Sequence, residues 1–186
     1  MKTLPSDYRP AFRLDLIHNK KQLWLVTGLS MGLLLLLLVP ALLTRPLRDT
    51  FEALPLVKAL ALSAGVMAYI PLHELVHALF MKVFGCEKVR FGFKLMYAYA
   101  GCDEYFYKWP YLTIALAPVV IWGGALWALA AFLPQWFWVI YGVQLLNLSG
   151  AAGDIYVTCR LIRKPASCLI RDWGTMMAVY TKEPSA

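Results

Sequence analysis

The chain has 186 residues, of which 60% are hydrophobic, a mean hydropathy of +0.59 and a net charge of +7. That apolar share exceeds the roughly 45–50% of soluble domains, so the composition excludes an ordinary soluble globule and predicts one membrane-embedded domain over residues 1–186, with the lipid bilayer as a partner. The 18 basic residues are spread between hydrophobic runs and form no nucleic-acid motif, so no nucleic-acid partner is expected.

Residues 1–22 are polar and basic, with Lys2, Arg9, Arg13, Lys20 and Lys21 set against Asp7 and Asp15. They read as a cytoplasmic, surface-lying arm, in which His18 is an interfacial polar residue. A first span over about 23–43 matches the roughly 20 apolar residues that cross a hydrocarbon core. It is too long for a signal-peptide core and ends in Thr44-Arg45-Pro46 without a small-residue cleavage site, so it should remain as an anchor. A short polar loop with Arg45, Arg48, Asp49 and Glu52 follows.

The second span, about 57–84, contains His73-Glu74-Leu75-Val76-His77, an HExxH sequence inside an apolar run. Residues four apart share one face of a helix, so His73 and His77 can aim two imidazoles at one ion while Glu74 reaches a ligand beside it. Zinc held by two histidines and a third protein ligand keeps a position for water, lowers the pKa of that water to about 7, and needs a carboxylate to manage the proton. Glu74 fits that role. Ionisable groups are costly inside a bilayer, and those found there usually face a bundle interior and serve a function. Pro71 removes a helix hydrogen bond just ahead of the motif and is a candidate kink.

From Cys86 to Trp109 the pattern changes. Val89, Phe91, Phe93 and Leu95 alternate with Lys88, Arg90, Gly92 and Lys94, while Tyr97, Tyr99, Tyr105 and Tyr107 flank a turn-like Gly101-Cys102-Asp103. The period of two predicts an interfacial β-hairpin able to offer an edge strand to an extended substrate; an aromatic anchoring loop is the equal alternative.

A third span over about 111–132 carries Pro118 and the small residues Gly123, Gly124 and Ala125, which let helices approach closely in lipid. The very short loop Leu133-Pro134-Gln135 makes spans three and four an antiparallel pair. The fourth span, about 136–162, holds Asn147, Ser149, Gly150, Gly153 and Asp154, and residues 163–186 form a polar tail. The fold class is therefore an all-α membrane protein with four transmembrane helices and a hairpin between helices 2 and 3. Lysine and arginine number five in the arm, three in the first loop, five in the second, none in the third and five in the tail. The positive-inside rule then places both termini and the hairpin in the cytoplasm of a plasma membrane. Cys86, Cys102, Cys159 and Cys168 lack CxxC spacing, and on that side of the membrane they are expected to stay reduced.

Depth selects a third ligand. His73 lies about 16 Å of helix from the cytoplasmic end of its span, and Asp154 about 12 Å from the end of its own. Asp154 is the one acidic residue besides Glu74 well inside a span, and Gly150 and Gly153 should let its helix pack closely on the second span. The expected metal ligands are His73, His77 and Asp154, with Asp103 and Glu104 as substitutes if the hairpin folds back. Asn147 is a candidate substrate or oxyanion contact, with interhelical hydrogen bonding as the plainer role.

These residues resemble the zincin peptidases found among small bacterial membrane proteins, which are distantly similar to site-2 intramembrane proteases. The resemblance rests on HELVHALF at residues 73–80, the basic and aromatic segment after it, Leu116-Ala117-Pro118, Ser149-Gly150-Ala151-Ala152-Gly153-Asp154 and Arg171-Asp172-Trp173-Gly174. It implies Zn2+ on His73, His77 and Asp154, with Glu74 as general base in the hydrolysis of peptide bonds of a membrane protein or peptide substrate. The chain departs from site-2 proteases in reading Gly153-Asp154-Ile155, with no proline near Asn147. A non-proteolytic metal-binding membrane protein, whether transporter, sensor or pseudoprotease, is the rival function.

Overall fold

A computed structural model describes residues 1–45, 55–94 and 97–182. The loop residues Arg48, Asp49 and Glu52, and Leu95 of the alternating segment, lie outside the described residues. The helices are α1 (Lys20–Thr44), α2 (Pro55–Val83), α3 (Lys108–Phe132), α4 (Phe137–Gly150) and α5 (Ala152–Ile162). The strands are β1 (Tyr8–Asp15), β2 (Arg90–Lys94), β3 (Tyr97–Gly101), β4 (Tyr105–Tyr107), β5 (Leu169–Asp172) and β6 (Met176–Lys182).

Helices α1, α2 and α3 match the first three expected spans to within a few residues, and α2 runs on through Pro71. They are the three described helices long and apolar enough to cross a membrane. Only 6% of the most apolar stretch of α1 and 11% of that of α2 is buried within the protein. Helices this apolar with so much outward surface suit lipid rather than water.

Two parts of the expected fold class are corrected. The fourth span is not one helix: it breaks at Ala151 into α4 and α5, neither of which has a membrane-crossing length. The all-α class also fails, because an antiparallel sheet in the order β1-β6-β5-β4 accompanies the two-stranded β2-β3 sheet. The arm and tail were weighed by charge alone, yet each carries inward-facing apolar residues, Leu14 on β1, Leu169 and Ile170 on β5, Met177 and Val179 on β6. Their pairing joins residue 8 to residue 182, a separation that local periodicity does not reveal. Pro10 is tolerated because β1 is an edge strand with a register shift between Pro10 and Phe12.

The chain divides into two compact units. The first comprises Met1–Leu25, Glu74–Ala117 and Asp154–Ala186, and the second Val26–His73 and Pro118–Gly153. The core of the first unit packs Leu14, Met81, Phe106, Ile114, Val157, Leu161, Ile170 and Val179, joining its sheet to helical segments. In the second unit, Trp138, Tyr141 and Leu145 of α4 pack on Leu34, Leu37 and Leu38 of α1, and the Tyr141 hydroxyl donates to the Leu37 carbonyl at 2.8 Å.

Close helix approach falls at Gly123 as expected, where a Cβ would lie 3.3 Å from Asn147 Nδ2, and at two glycines not singled out from the sequence. A Cβ at Gly65 would lie 3.0 Å from Val143, and one at Gly142 would lie 2.6 Å from Leu62, so α2 and α4 meet across those positions. A Cβ at Gly153 would meet nothing within 4 Å, and one at Gly150 only Leu146 of its own helix.

The hairpin is present as β2 paired with β3, Phe91 opposite Ala100 and Phe93 opposite Ala98. Gly101 is the last residue of β3, so Gly101-Cys102-Asp103 follows the hairpin rather than turning it, and the chain then continues into β4, which pairs with β5. The expectation of four reduced cysteines is corrected too. Cys86 and Cys102 form a disulfide, while Cys159 and Cys168 are free. Their sequence spacing gave no hint, because the hairpin between them returns the chain to the end of α2.

Candidate metal centre

His73 closes the second unit and Glu74 opens the first, but α2 is unbroken through both, so the two imidazoles sit one turn apart on one helix face. In the first unit, His77 is buried and its Nδ1 lies 2.8 Å from the Ile114 carbonyl of α3. A carbonyl only accepts, so Nδ1 carries a proton, and Nε2 is the nitrogen that would serve a metal. Asp154, in the first turn of α5, holds Oδ1 3.7 Å from that Nε2. This is too long for a direct hydrogen bond and close to the roughly 3.3 Å that separates two tetrahedral ligands with bonds of about 2.0–2.1 Å.

The second unit fixes the other ring in the same sense. Asn147 is fully buried, and its Nδ2 donates to the Val119 carbonyl at 3.2 Å and to Gln144 Oε1 at 3.3 Å. Its Oδ1 therefore faces Tyr69, whose hydroxyl donates to it at 2.7 Å. Tyr69 Oη lies 2.6 Å from His73 Nδ1, and with its own proton committed it can only accept there. His73 thus carries its proton on Nδ1, which makes Nε2 its ligand nitrogen. Within the first unit Asp154 stands beside His77, and His73 lies one turn before His77 on the same helix, so these are the residues that could hold an ion. Histidine ligands commonly have the far nitrogen held in this way by a carbonyl or polar side chain. The donor set of two imidazoles and one carboxylate suits zinc.

Glu74 points to the hairpin. Its Oε2 accepts a hydrogen bond from the Ala100 backbone N–H of β3 at 2.7 Å, while Ala100 pairs with Phe91 on the other side of the strand. Strand β3 is held in turn by the turn after β5. The Cys102 N–H donates to the Asp172 carbonyl at 2.7 Å, and a Cβ on Gly101 would lie 2.6 Å from the Trp173 backbone. Gly174 has φ of +93°, and a Cβ there would run into the Tyr99 ring, so both its conformation and its closeness to β3 require glycine. The Asp172 carboxylate accepts from Tyr111 Oη at 2.5 Å and from Gly174 N at 2.7 Å. Burial raises its pKa to about 6, against the lowering effect of those two hydrogen bonds.

The substitute ligands lie elsewhere. Asp103 is exposed and pairs with Arg171 at 3.0 Å and with Arg90, and the Arg171 contact is the leading reason its carboxyl is held below its ordinary range. Glu104 sits beside Cys102. Asn147 has both ends of its amide engaged between helices. His18 is on the exposed arm against Asp15. Tyr69, Tyr111, the Asp172 carboxylate and the Ala100 N–H had no role assigned from sequence. Tyr69 was within reach, since it stands four residues before His73 on the same helix face. The others come from strand and turn contacts that spacing does not encode.

An HExxH helix with both imidazoles oriented by outer hydrogen bonds and a carboxylate beside them defines the class of zincin-type metal sites. The chain belongs to the family described as putative zincin peptidase, which matches residues 66–169, more than half of its length. That match spans the motif helix, the hairpin, α3, α4 and α5. No curated protein and no solved structure matches the chain.

Proposed function

We propose that the protein is an intramembrane zinc metallopeptidase, with zinc held by His73, His77 and Asp154 and with Glu74 as the general base, acting on membrane proteins or peptides. The observation that supports this is the pair of His77 and Asp154, Nε2 3.7 Å from Oδ1, on the helix that carries His73 one turn earlier, with the Nδ1 of each ring held by an outer partner. Bound zinc would polarise a scissile carbonyl and acidify a water. Glu74 takes the proton of the attacking water and passes it to the leaving amine. Membership of a metallopeptidase family and three apolar helices of spanning length agree with this.

The edge of β3 that faces Glu74 supports an extended substrate lying antiparallel or parallel to it, since main-chain pairing binds without regard to side chains. A helical substrate must unwind first, because its carbonyls are locked in hydrogen bonds. The arm, the tail and β4 share one sheet, so they lie on one side of the bilayer, and their basic residues favour the cytoplasmic side. The test is Glu74→Gln in purified protein with a labelled membrane peptide. Zinc retained with cleavage reduced at least about 100-fold supports the proposal, the scale of general-base catalysis. Zinc retained with unchanged cleavage sinks it.

A further inference from the structure

A second cluster of reactive side chains lies outside the metal centre, and all of it belongs to the first unit. Cys86 follows α2, Cys102 follows β3, and both sulfurs are buried, at 3% and 0% exposure. Between them lies the whole β2-β3 hairpin. Glu104, also buried, places Oε2 2.8 Å from Cys102 Sγ, and its Oε1 accepts from the Glu87 N–H at 3.4 Å. A disulfide sulfur has no proton to donate, so a carboxylate at this distance has no partner there in the oxidised form. In the dithiol form the Cys102 S–H donates to it directly. The carboxylate is therefore placed for the reduced form and for the proton that moves between the two.

We propose that Cys86, Cys102 and Glu104 form a redox-active dithiol–disulfide site, with a low-molecular-weight thiol and its disulfide as co-reactants, and that its state sets how firmly β3 holds Glu74. This rests on the cytoplasmic placement argued above, where disulfides are transient and usually catalytic or sensing rather than structural. Cys86 is buried like Cys102, so exchange proceeds when the hairpin opens locally and exposes Cys86. An external thiolate attacks its Sγ, the Cys86–Cys102 bond breaks, and Cys102 leaves as a thiol carrying a proton delivered through Glu104. A second thiol then displaces the first from Cys86. The sum is one disulfide and two thiols giving two cysteine thiols and one external disulfide, with electrons and protons balanced.

The consequence reaches the metal centre through one strand. Ala100, two residues before Cys102, gives its N–H to Glu74, and a two-stranded sheet is marginal without further ties. Oxidation ties the end of β3 to the end of α2, the helix that carries Glu74. Reduction leaves that end held by the Cys102 N–H on Asp172 and the packing of Gly101 on Trp173. A metal site on the same atoms is the weaker alternative. The group has three ligands among the described residues, whereas closed thiolate zinc sites have four.

The test uses the full chain in detergent micelles or nanodiscs, equilibrated in mixtures of reduced and oxidised glutathione. Maleimide labelling with peptide mapping reads the thiols, and amide hydrogen exchange reads β3. The expected result is a single two-electron transition confined to Cys86 and Cys102, with exchange in residues 97–101 at least tenfold faster in the reduced protein while β5 stays unchanged. Cys86→Ser should exchange like the reduced wild type, and reduced protein alkylated at Cys86 should do the same, which covers the case where that variant fails to fold. Glu104→Gln should slow reduction about tenfold and leave exchange of the oxidised form unaltered. The proposal is overturned if the two cysteines stay unlinked in the oxidising mixture, or if β3 exchange differs less than twofold between states. It is equally overturned if the reduced protein gains a second zinc that Glu104→Gln removes, or if maleimide trapping in cells finds the disulfide fully formed whatever the thiol reductant. None of these readouts uses cleavage, so a protein without peptidase activity would still pass or fail them.

Discussion

Removing a single oxygen tests the orientation of His73. In Tyr69→Phe the ring keeps its place against Trp122, 6.5 Å between centroids, while the hydroxyl that accepts from His73 Nδ1 and donates to Asn147 Oδ1 is lost. Two effects follow. The imidazole loses the partner that selects its tautomer, and outer hydrogen bonds of this kind are worth about 10–100-fold in metal affinity, or roughly 1.4–2.7 kcal/mol. The fully buried Asn147 Oδ1 is left without its donor, which costs about 1–3 kcal/mol of stability. The assay is competition for zinc against a chromogenic chelator in detergent at fixed pH, with thermal unfolding of the metal-free protein measured beside it. Affinity within twofold of wild type, with stability reduced, would show that Tyr69 serves helix packing alone and that the tautomer argument fails.

Three further outcomes are expected. Asp154→Asn keeps the volume but removes the charge, so zinc affinity should fall at least about 100-fold, and more than in Tyr69→Phe, because an inner ligand is altered rather than an outer one; chelator competition on the two variants side by side decides it. Gly174→Ala adds a methyl at φ +93° into the Tyr99 ring and should lower stability by about 1–3 kcal/mol while speeding amide exchange in β3; unchanged exchange would mean that the turn does not hold the strand. The Asp172 carboxyl is raised from 3.8 to about 6 when folded, so the folded state holds its proton more tightly, and this contribution is full below about pH 4 and is lost as pH rises through about 6. The unfolding midpoint of metal-free protein should fall across that window by more in wild type than in Asp172→Asn, as read by thermal melts at stepped pH; parallel curves would contradict it.

The legible and illegible parts of this chain differ in range. Spans α1, α2 and α3 follow from unbroken apolar runs, and the facing of His73 and His77 follows from a four-residue spacing, both local properties. The period-two pattern around Phe91 and Phe93 likewise announced β2. What the sequence concealed is non-local. The run over 136–162 is apolar enough for one helix, yet it breaks at Ala151, and Asp154 comes to the first turn of a new helix, where a carboxylate is favoured. The sheet pairs Tyr8 with Lys182 across nearly the whole chain, and strands β1 and β6 look in isolation like charged tails. The Ala100 N–H on Glu74 is a backbone group, to which side-chain motifs are blind. Helix rise converts residue counts to distance, and the count of eight residues from Asp154 to Ile162 applies to α5, which retains them.

The central claim is a metal held by two α2 imidazoles and the α5 carboxylate, and X-ray absorption on the purified full chain, combined with its metal content, addresses it most directly. The account predicts about one zinc per chain, a shell of two nitrogens and oxygen at about 2.0–2.2 Å with no sulfur, and loss of that zinc in Asp154→Asn. Protein that binds no zinc at micromolar supply, or a shell that contains cysteine sulfur at about 2.3 Å, would contradict it.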